Sequence, residues 1–141
     1  MNPAEKAAFK FSKYKIAKFS YEETENADPI LNLNFEVAGK YIQKTGTFEL
    51  KLELKATEPA KDNKSVIDST LILYFKFEDS LPLKDLPVYF YRNAIAIGFP
   101  YLRSFISTLT LQANTKSILL PIMNLSKFEQ PLIDSTFQVT E

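Results

Sequence analysis

The sequence predicts an α+β domain in which a four-stranded antiparallel sheet is followed by a long helix and a short C-terminal helix. Two observations carry this reading. From Thr47 to Ala56, Phe48, Leu50, Leu52, Leu54 and Ala56 alternate with Glu49, Lys51, Glu53 and Lys55, the period of two that gives a strand one buried and one wet face. After Asp85 the period lengthens, and Leu102, Phe105, Ile106 and Leu109 recur at helical spacing. Strands gathered before helices make an α+β arrangement.

The first strand, about Phe9 to Tyr21, is irregular: Phe9 and Phe11 share one phase, Tyr14 and Ile16 take the other, and Phe19 and Tyr21 return to the first. Two phase slips predict bulges around Ser12 to Lys13 and Ala17 to Lys18, features that favour a sheet edge. In the second strand Leu31, Leu33, Phe35 and Val37 alternate with Asn32, Asn34 and Glu36, and Gly39 and Gly46 mark places where the chain can bend into the third. Glu58 to Ser65 reads as a loop. In the fourth strand, Val66 to Phe77, one face carries Leu71, Leu73, Phe75 and Phe77 and the other Val66, Ile72 and Tyr74. Apolarity on both faces predicts two covers, the chain's own helices and, as a candidate second cover, another subunit. Pro87 stands near the helix start, and Pro100, close to Gly98, either begins its regular part or kinks it. Asn114 to Ser117 is a break. Ile118 to Phe128 is apolar but interrupted by Pro121, leaving room for a short helix near Leu125 to Leu132 that Pro131 limits. With no repeat or linker, residues 1–141 form one domain.

Composition narrows function by what it lacks. Among 141 residues, 45% hydrophobic and 24% charged, there is no histidine, cysteine or tryptophan. Imidazole-based relays, His/Cys zinc sites, disulfides and iron–sulfur clusters are therefore excluded. Three glycines, at 39, 46 and 98, cannot build a phosphate cradle. Glu22, Glu23, Glu25 and Asp28, and likewise Glu78 and Asp79, read as solvated loop residues rather than catalytic or cation-binding pairs. No enzyme activity, metal or cofactor is expected.

Seventeen basic side chains balance 17 acidic ones. The start is locally basic, with Lys6, Lys10, Lys13, Lys15 and Lys18 against Glu5. Lysines interleaved with aromatics superficially resemble a single-strand nucleic-acid platform, but the acids that follow cancel the field, so no nucleic-acid partner is expected. The longest mostly apolar run, Ala94 to Leu102, is about half the ~20 residues that span a bilayer, so no stable membrane insertion is expected. Lysines scattered through Met1 to Tyr21 do not fit a secretory signal, and the expected location is the cytoplasm. The 12 Phe and 7 Tyr are a stronger clue. Val88 to Tyr91 places four large apolar residues directly before the helix, more than one helical face can bury, which predicts that some meet a partner.

Phe99, Pro100, Tyr101, Arg103, Ile106 and Leu109 resemble the phenylalanine-proline-tyrosine-x-arginine helix start of the SecB family of protein-export chaperones. Leu120, Pro121, Ile122, Met123, Asn124 and Leu125 resemble that family's Leu-Pro-Pro-Ile-Asn-Phe turn, and Phe19, Ser20, Tyr21 and Glu22 its Ile-Ser-Phe-Glu strand end. The resemblance implies a SecB-like fold and a cytoplasmic, ATP-independent holdase of unfolded preproteins, assembled as a homotetramer, a dimer of dimers. It places client binding on Tyr89, Phe90, Tyr91 and Ile95 before the helix and on Leu119, Leu120, Ile122, Met123 and Phe128 after it. Family members dock the SecA motor on an acidic strand surface; here Lys18 replaces an expected acid, which counts against SecA. Glu23 to Pro29 also lacks the aromatics that line part of the family's groove. Some SecB-like proteins serve instead as dedicated antitoxin chaperones of toxin–antitoxin modules, and a non-acidic chain fits that role. The alternative from a different class is a small apolar-ligand-binding domain without catalysis.

Overall fold

A computed structural model describes residues 8–139; Glu5 and Lys6 of the basic start lie outside the described residues. Strands β1 (Phe9–Tyr21), β2 (Asn32–Ile42), β3 (Thr47–Glu58) and β4 (Lys64–Phe77) precede helix α1 (Val88–Gln112), a 3-10 turn at Leu125–Phe128, helix α2 (Glu129–Ser135) and strand β5 (Phe137–Val139). The sheet order is β1-β4-β3-β2-β5. The first four strands pair antiparallel as the alternation requires. The sheet is nevertheless mixed and five-stranded, because β5 pairs parallel to β2 with Phe137 opposite Lys40 and Val139 opposite Ile42. Three residues are too few to display an alternating pattern, so this strand was not foreseen.

β1 slips register between Phe11 and Lys13 and again between Ile16 and Lys18, and it occupies one edge. Each extra residue turns the strand by one phase, so the residues paired with inward-facing β4 positions are Phe9, Phe11, Tyr14, Ile16, Phe19 and Tyr21. Gly46 closes the β2–β3 hairpin at φ +70°, where a side chain is strained. Gly39 does not bend the chain. It lies within β2, where Thr136 and the Phe48 ring crowd the space a Cβ would take.

α1 lies across the inner face of the sheet. Phe90, Tyr91, Ala94, Ile95, Gly98, Phe99, Leu102, Ile106 and Thr110 are buried, the recurrence at three and four residues of a one-sided helix. A Cβ on Gly98 would stand 2.8 Å from Leu73 Cδ1 and 2.9 Å from Leu52 Cδ1, so hydrogen at this position lets the helix rest directly on β3 and β4. Phe90 is the hub of the N-terminal half, with Phe9, Phe48 and Phe77 at ring-centroid distances of 4.8 Å each and Phe75 at 5.5 Å. Tilted and edge-on rings at these spacings add to area burial. Val88 to Tyr91 are the first turn of the helix rather than its approach: Phe90 and Tyr91 face the sheet, and Val88 and Tyr89 face out. Pro100 sits inside the helix on its exposed side, where the Ala96 carbonyl, deprived of its helical donor, is open to water. By length and composition α1 could cross a bilayer, with a mean hydropathy of 1.3 over its most apolar 18 residues; part of its apolar surface packs on the sheet, while Val88, Tyr89, Tyr101 and Leu111 stay exposed.

One further expectation changes. Pro131 falls in the first turn of α2, where a missing N–H leaves no helical bond unmade, so it opens that helix instead of limiting it. The second apolar face of β4 is partly covered within the chain: Lys13 and Lys15 hold their ammonium groups 5.0 and 5.9 Å from the Tyr74 ring centroid, and Ile72 and Tyr74 are half-buried. Lysine stems thereby take part of the covering role assigned to another subunit.

Candidate functional site

Because β1, β4, β3 and β2 are successively antiparallel, the end of β1 and the start of β2 lie at the same end of the sheet. They are three strand spacings apart, ~14 Å. Residues 22–31 bridge that gap as a crossover. Glu58, at the end of β3 and only 2% exposed, organises it. Its carboxylate accepts from Asn26 Nδ2 at 2.5 Å and from Thr24 Oγ1 at 3.3 Å, while Thr24 Oγ1 accepts from the Asn26 N–H at 3.0 Å. A buried carboxylate needs such donors, and two side chains of an otherwise irregular loop, Thr24 and Asn26, are fixed by supplying them.

The facing wall is the chain that leaves α1. Asn114 adopts φ +61°, and the Thr115 N–H closes on the Thr110 carbonyl at 3.3 Å, ending the helix and turning the chain back along it. Helix groups then hold the returning segment. Thr110 Oγ1 donates to the Ile106 carbonyl and accepts from the Ile118 N–H, both at 2.8 Å. Ser117 Oγ donates to the Ser107 carbonyl at 2.9 Å, and Arg103 Nε to the Leu120 carbonyl at 2.9 Å. Tyr21 Oη donates to Thr115 Oγ1 at 2.8 Å, joining the end of β1 to this segment.

Between the two walls runs an open groove of about 630 Å³, with Tyr21, Leu31, Leu33, Ile118, Leu119 and Leu120 supplying its apolar lining. Glu23, Glu25, Asp28 and Lys116 stand on its rim. Lys116 Nζ crosses the mouth to Asp28 Oδ1 at 3.0 Å and the Ala27 carbonyl at 3.1 Å, and Lys61 lies 3.8 Å from Glu25. Beside the rim the Lys64 ammonium donates to Glu22 at 2.8 Å; this hydrogen bond, and then the Glu22 charge, raise the Lys64 pKa. No group of three acidic side chains among the described residues is placed to hold a metal ion. The arrangement offers apolar contact, backbone polar groups and a charged rim: the means of holding an extended chain or an apolar molecule.

The nine residues that the sequence nominated are not all in this place. Leu119 and Leu120 line the groove, Leu119 being 68% exposed and Leu120 buried in its floor. Ile122, 92% exposed, and half-buried Met123 follow directly. Phe128 packs edge-on to Phe35 at 4.7 Å. Tyr89, Phe90, Tyr91 and Ile95 are on the far half of α1. Phe90 and Ile95 are fully enclosed and Tyr91 nearly so, which leaves Tyr89 exposed among these four. Sequence reasoning missed Tyr21, Leu31, Leu33 and Ile118 as lining. The available signal was the connection between two predicted strands that is too long and too irregular for a hairpin.

Sheet order, crossover and the long helix with its returning segment together make a fold of the kind seen in a SecB-like chaperone. Over 82% of this chain and 88% of the other, the structure is similar to the Mycobacterium tuberculosis Rv1957 SecB-like chaperone in complex with a ChAD peptide from the Rv1956 HigA1 antitoxin, with a TM-score of 0.66 and 16% sequence identity. The chain belongs to the family of the uncharacterized protein MJ0357 of Methanocaldococcus jannaschii, to which it is 30% identical over 132 residues, covering 89% of this chain and 85% of that protein. No family model matches the sequence.

Proposed function

We propose that the chain is an ATP-independent holdase that binds an extended apolar segment of a non-native polypeptide in the groove between the crossover and the returning segment. The observation that supports this best is the continuity of the apolar groove lining with Leu119 and Ile122, which are 68% and 92% exposed. Side chains so displayed gain on being covered, and a client segment covers them with little demand on its sequence. Client contacts are assigned to Leu119, Ile122 and Met123 together with Tyr21, Leu31 and Leu33. The antitoxin peptide in the Rv1957 complex makes an antitoxin the first client to test, with an export preprotein as the second. A cytoplasmic dimer of dimers is part of the proposal, and the edge position of β1 supports it, since its outer side has no strand partner among the described residues. SecA docking is not part of it: lysines occupy β1.

The experiment is aggregation of a chemically denatured client, followed by light scattering with and without the purified protein. Slowed aggregation at a stoichiometric ratio without nucleotide is expected; no effect, with no binding to any unfolded chain, overturns the reading. The groove volume also falls within the ~300–1,000 Å³ of small-molecule sites, which favours the apolar-ligand domain as a second reading. That reading predicts a monomer with a co-purifying lipid or metabolite, detectable by mass spectrometry.

A further inference from the structure

The outward face of the sheet carries a charge pattern that the core does not require. β1 sends Lys10, Lys13, Lys15 and Lys18 outward, its two bulges keeping the lysines on that side while the aromatics return to the core. Across the ladder Lys10 is opposite Lys76, Lys13 opposite Tyr74 and Lys15 opposite Ile72. The other half of the face is balanced, with Lys51 at 2.8 Å from Glu53 and Lys40 at 3.8 Å from Glu49, and Lys18 is held by Asp68 at 2.9 Å. Lys10, Lys13, Lys15 and Lys76 are exposed and form no ion pair among the described residues. In a chain of zero net charge, positive charge has thus been collected on one strip. Setting Lys10 against Lys76 destabilises the sheet, the kind of local conflict that is kept where a site needs it.

The geometry points to this strip as a docking surface for an acidic polypeptide segment, a run of Asp and Glu on a partner protein laid flat along β1 and β4. Alternate residues of a strand recur every ~6.6 Å, so an extended acidic segment running along the strip presents carboxylates at the spacing of the ammonium groups. Single-stranded nucleic acid fits less well. It needs an open aromatic face for stacking, and the Tyr74 ring is already faced by Lys13 and Lys15. A bilayer fits less well again, since Ile72 and Tyr74 are half-buried and offer no protruding apolar anchor.

The probe is a fluorescein-labelled peptide of ten glutamates, titrated with the full chain by fluorescence anisotropy at low salt. Saturable binding that weakens as salt is raised is expected. The double variants Lys13→Gln with Lys15→Gln, and Lys10→Gln with Lys76→Gln, should each bind about tenfold more weakly. Leu119→Ala and Lys61→Gln should bind as the native chain does, which separates this face from the groove. Amide shifts of the native protein on titration, confined to Lys10–Lys18 and Ile72–Lys76, test the location without any variant. Undiminished binding by both double variants, shifts centred elsewhere, or tighter binding of a ten-nucleotide single-stranded DNA or of anionic phosphatidylglycerol vesicles would each overturn the proposal.

Discussion

Leu119 and Leu120 are adjacent, chemically identical and oppositely placed, so truncating each in turn separates holding a client from holding the fold. Leu119 is 68% exposed and Leu120 is 1% exposed, with its carbonyl bound by Arg103. Full burial of a leucine side chain is worth ~1.5–3 kcal/mol. With about two thirds of Leu119 still open, covering it by a client gains ~1–2 kcal/mol, or a five- to thirtyfold change in Kd. Leu119→Ala should therefore weaken binding of a permanently unfolded, fluorescein-labelled client by roughly that factor, while its urea midpoint shifts by no more than an exposed position allows, ~0.5 kcal/mol. Leu120→Ala removes enclosed methyl groups and should lower stability by ~2–5 kcal/mol. Anisotropy titration and urea unfolding of the two variants make the comparison. Unchanged client affinity for Leu119→Ala, or a stability loss equal to that of Leu120→Ala, would refute the assignment of Leu119 to a client-facing wall.

Glu58→Ala should free Thr24 and Asn26 by removing their charged acceptor, at a loss of ~1–3 kcal/mol, and loosen the crossover; client affinity should fall, and amide exchange over residues 22–31 should quicken. Thr110→Val deprives the Ile118 N–H of its acceptor, and the same exchange measurement should show residues 115–120 opening while the sheet stays protected. Gly98→Val places methyl groups against enclosed Leu52 and Leu73, and a loss of about 3 kcal/mol in urea unfolding is expected from overpacking. Burial raises the phenol pKa values of Tyr41 and Tyr91 above 10.0, and Tyr41 Oη donates to the Leu81 carbonyl at 2.6 Å. The folded state therefore holds these protons more tightly than the unfolded chain does, so the associated stability is complete below pH 10 and is lost as pH rises towards the folded values. Urea unfolding in that range should show a shallower decline for Tyr41→Phe than for the native chain.

The parts legible in the sequence were those with a local signature. Alternation in Thr47 to Ala56 predicted β3, and the two phase slips of β1 predicted its bulges, because each depends on neighbours within a few residues. Strand β5 has no such signature, since Phe137 to Val139 is a strand only because β2 offers it an edge. The start of α1 was misread for a similar reason. Tyr89 and Phe90 are both large aromatics, and packing on Phe9, Phe48 and Phe77 decides which of them turns inward. The same limit applied to the groove. Leu119 and Leu120 stood out as apolar, but Leu31 and Leu33 join them only because the crossover brings the start of β2 to the end of the sheet where the returning segment passes.

The long helix is also a matter of timing. The apolar face of the four-stranded sheet is fully encoded once Phe77 has been made, yet α1, which covers it, is complete only at Gln112. At ~5–20 residues per second of synthesis, the sheet waits ~2–7 s without its lid. During that interval the nascent chain displays Phe48, Leu52, Leu73 and Phe75 with nothing over them. The groove waits longer, because its second wall begins only at Lys116. A protein proposed to guard unfinished chains is, for those seconds, one of them.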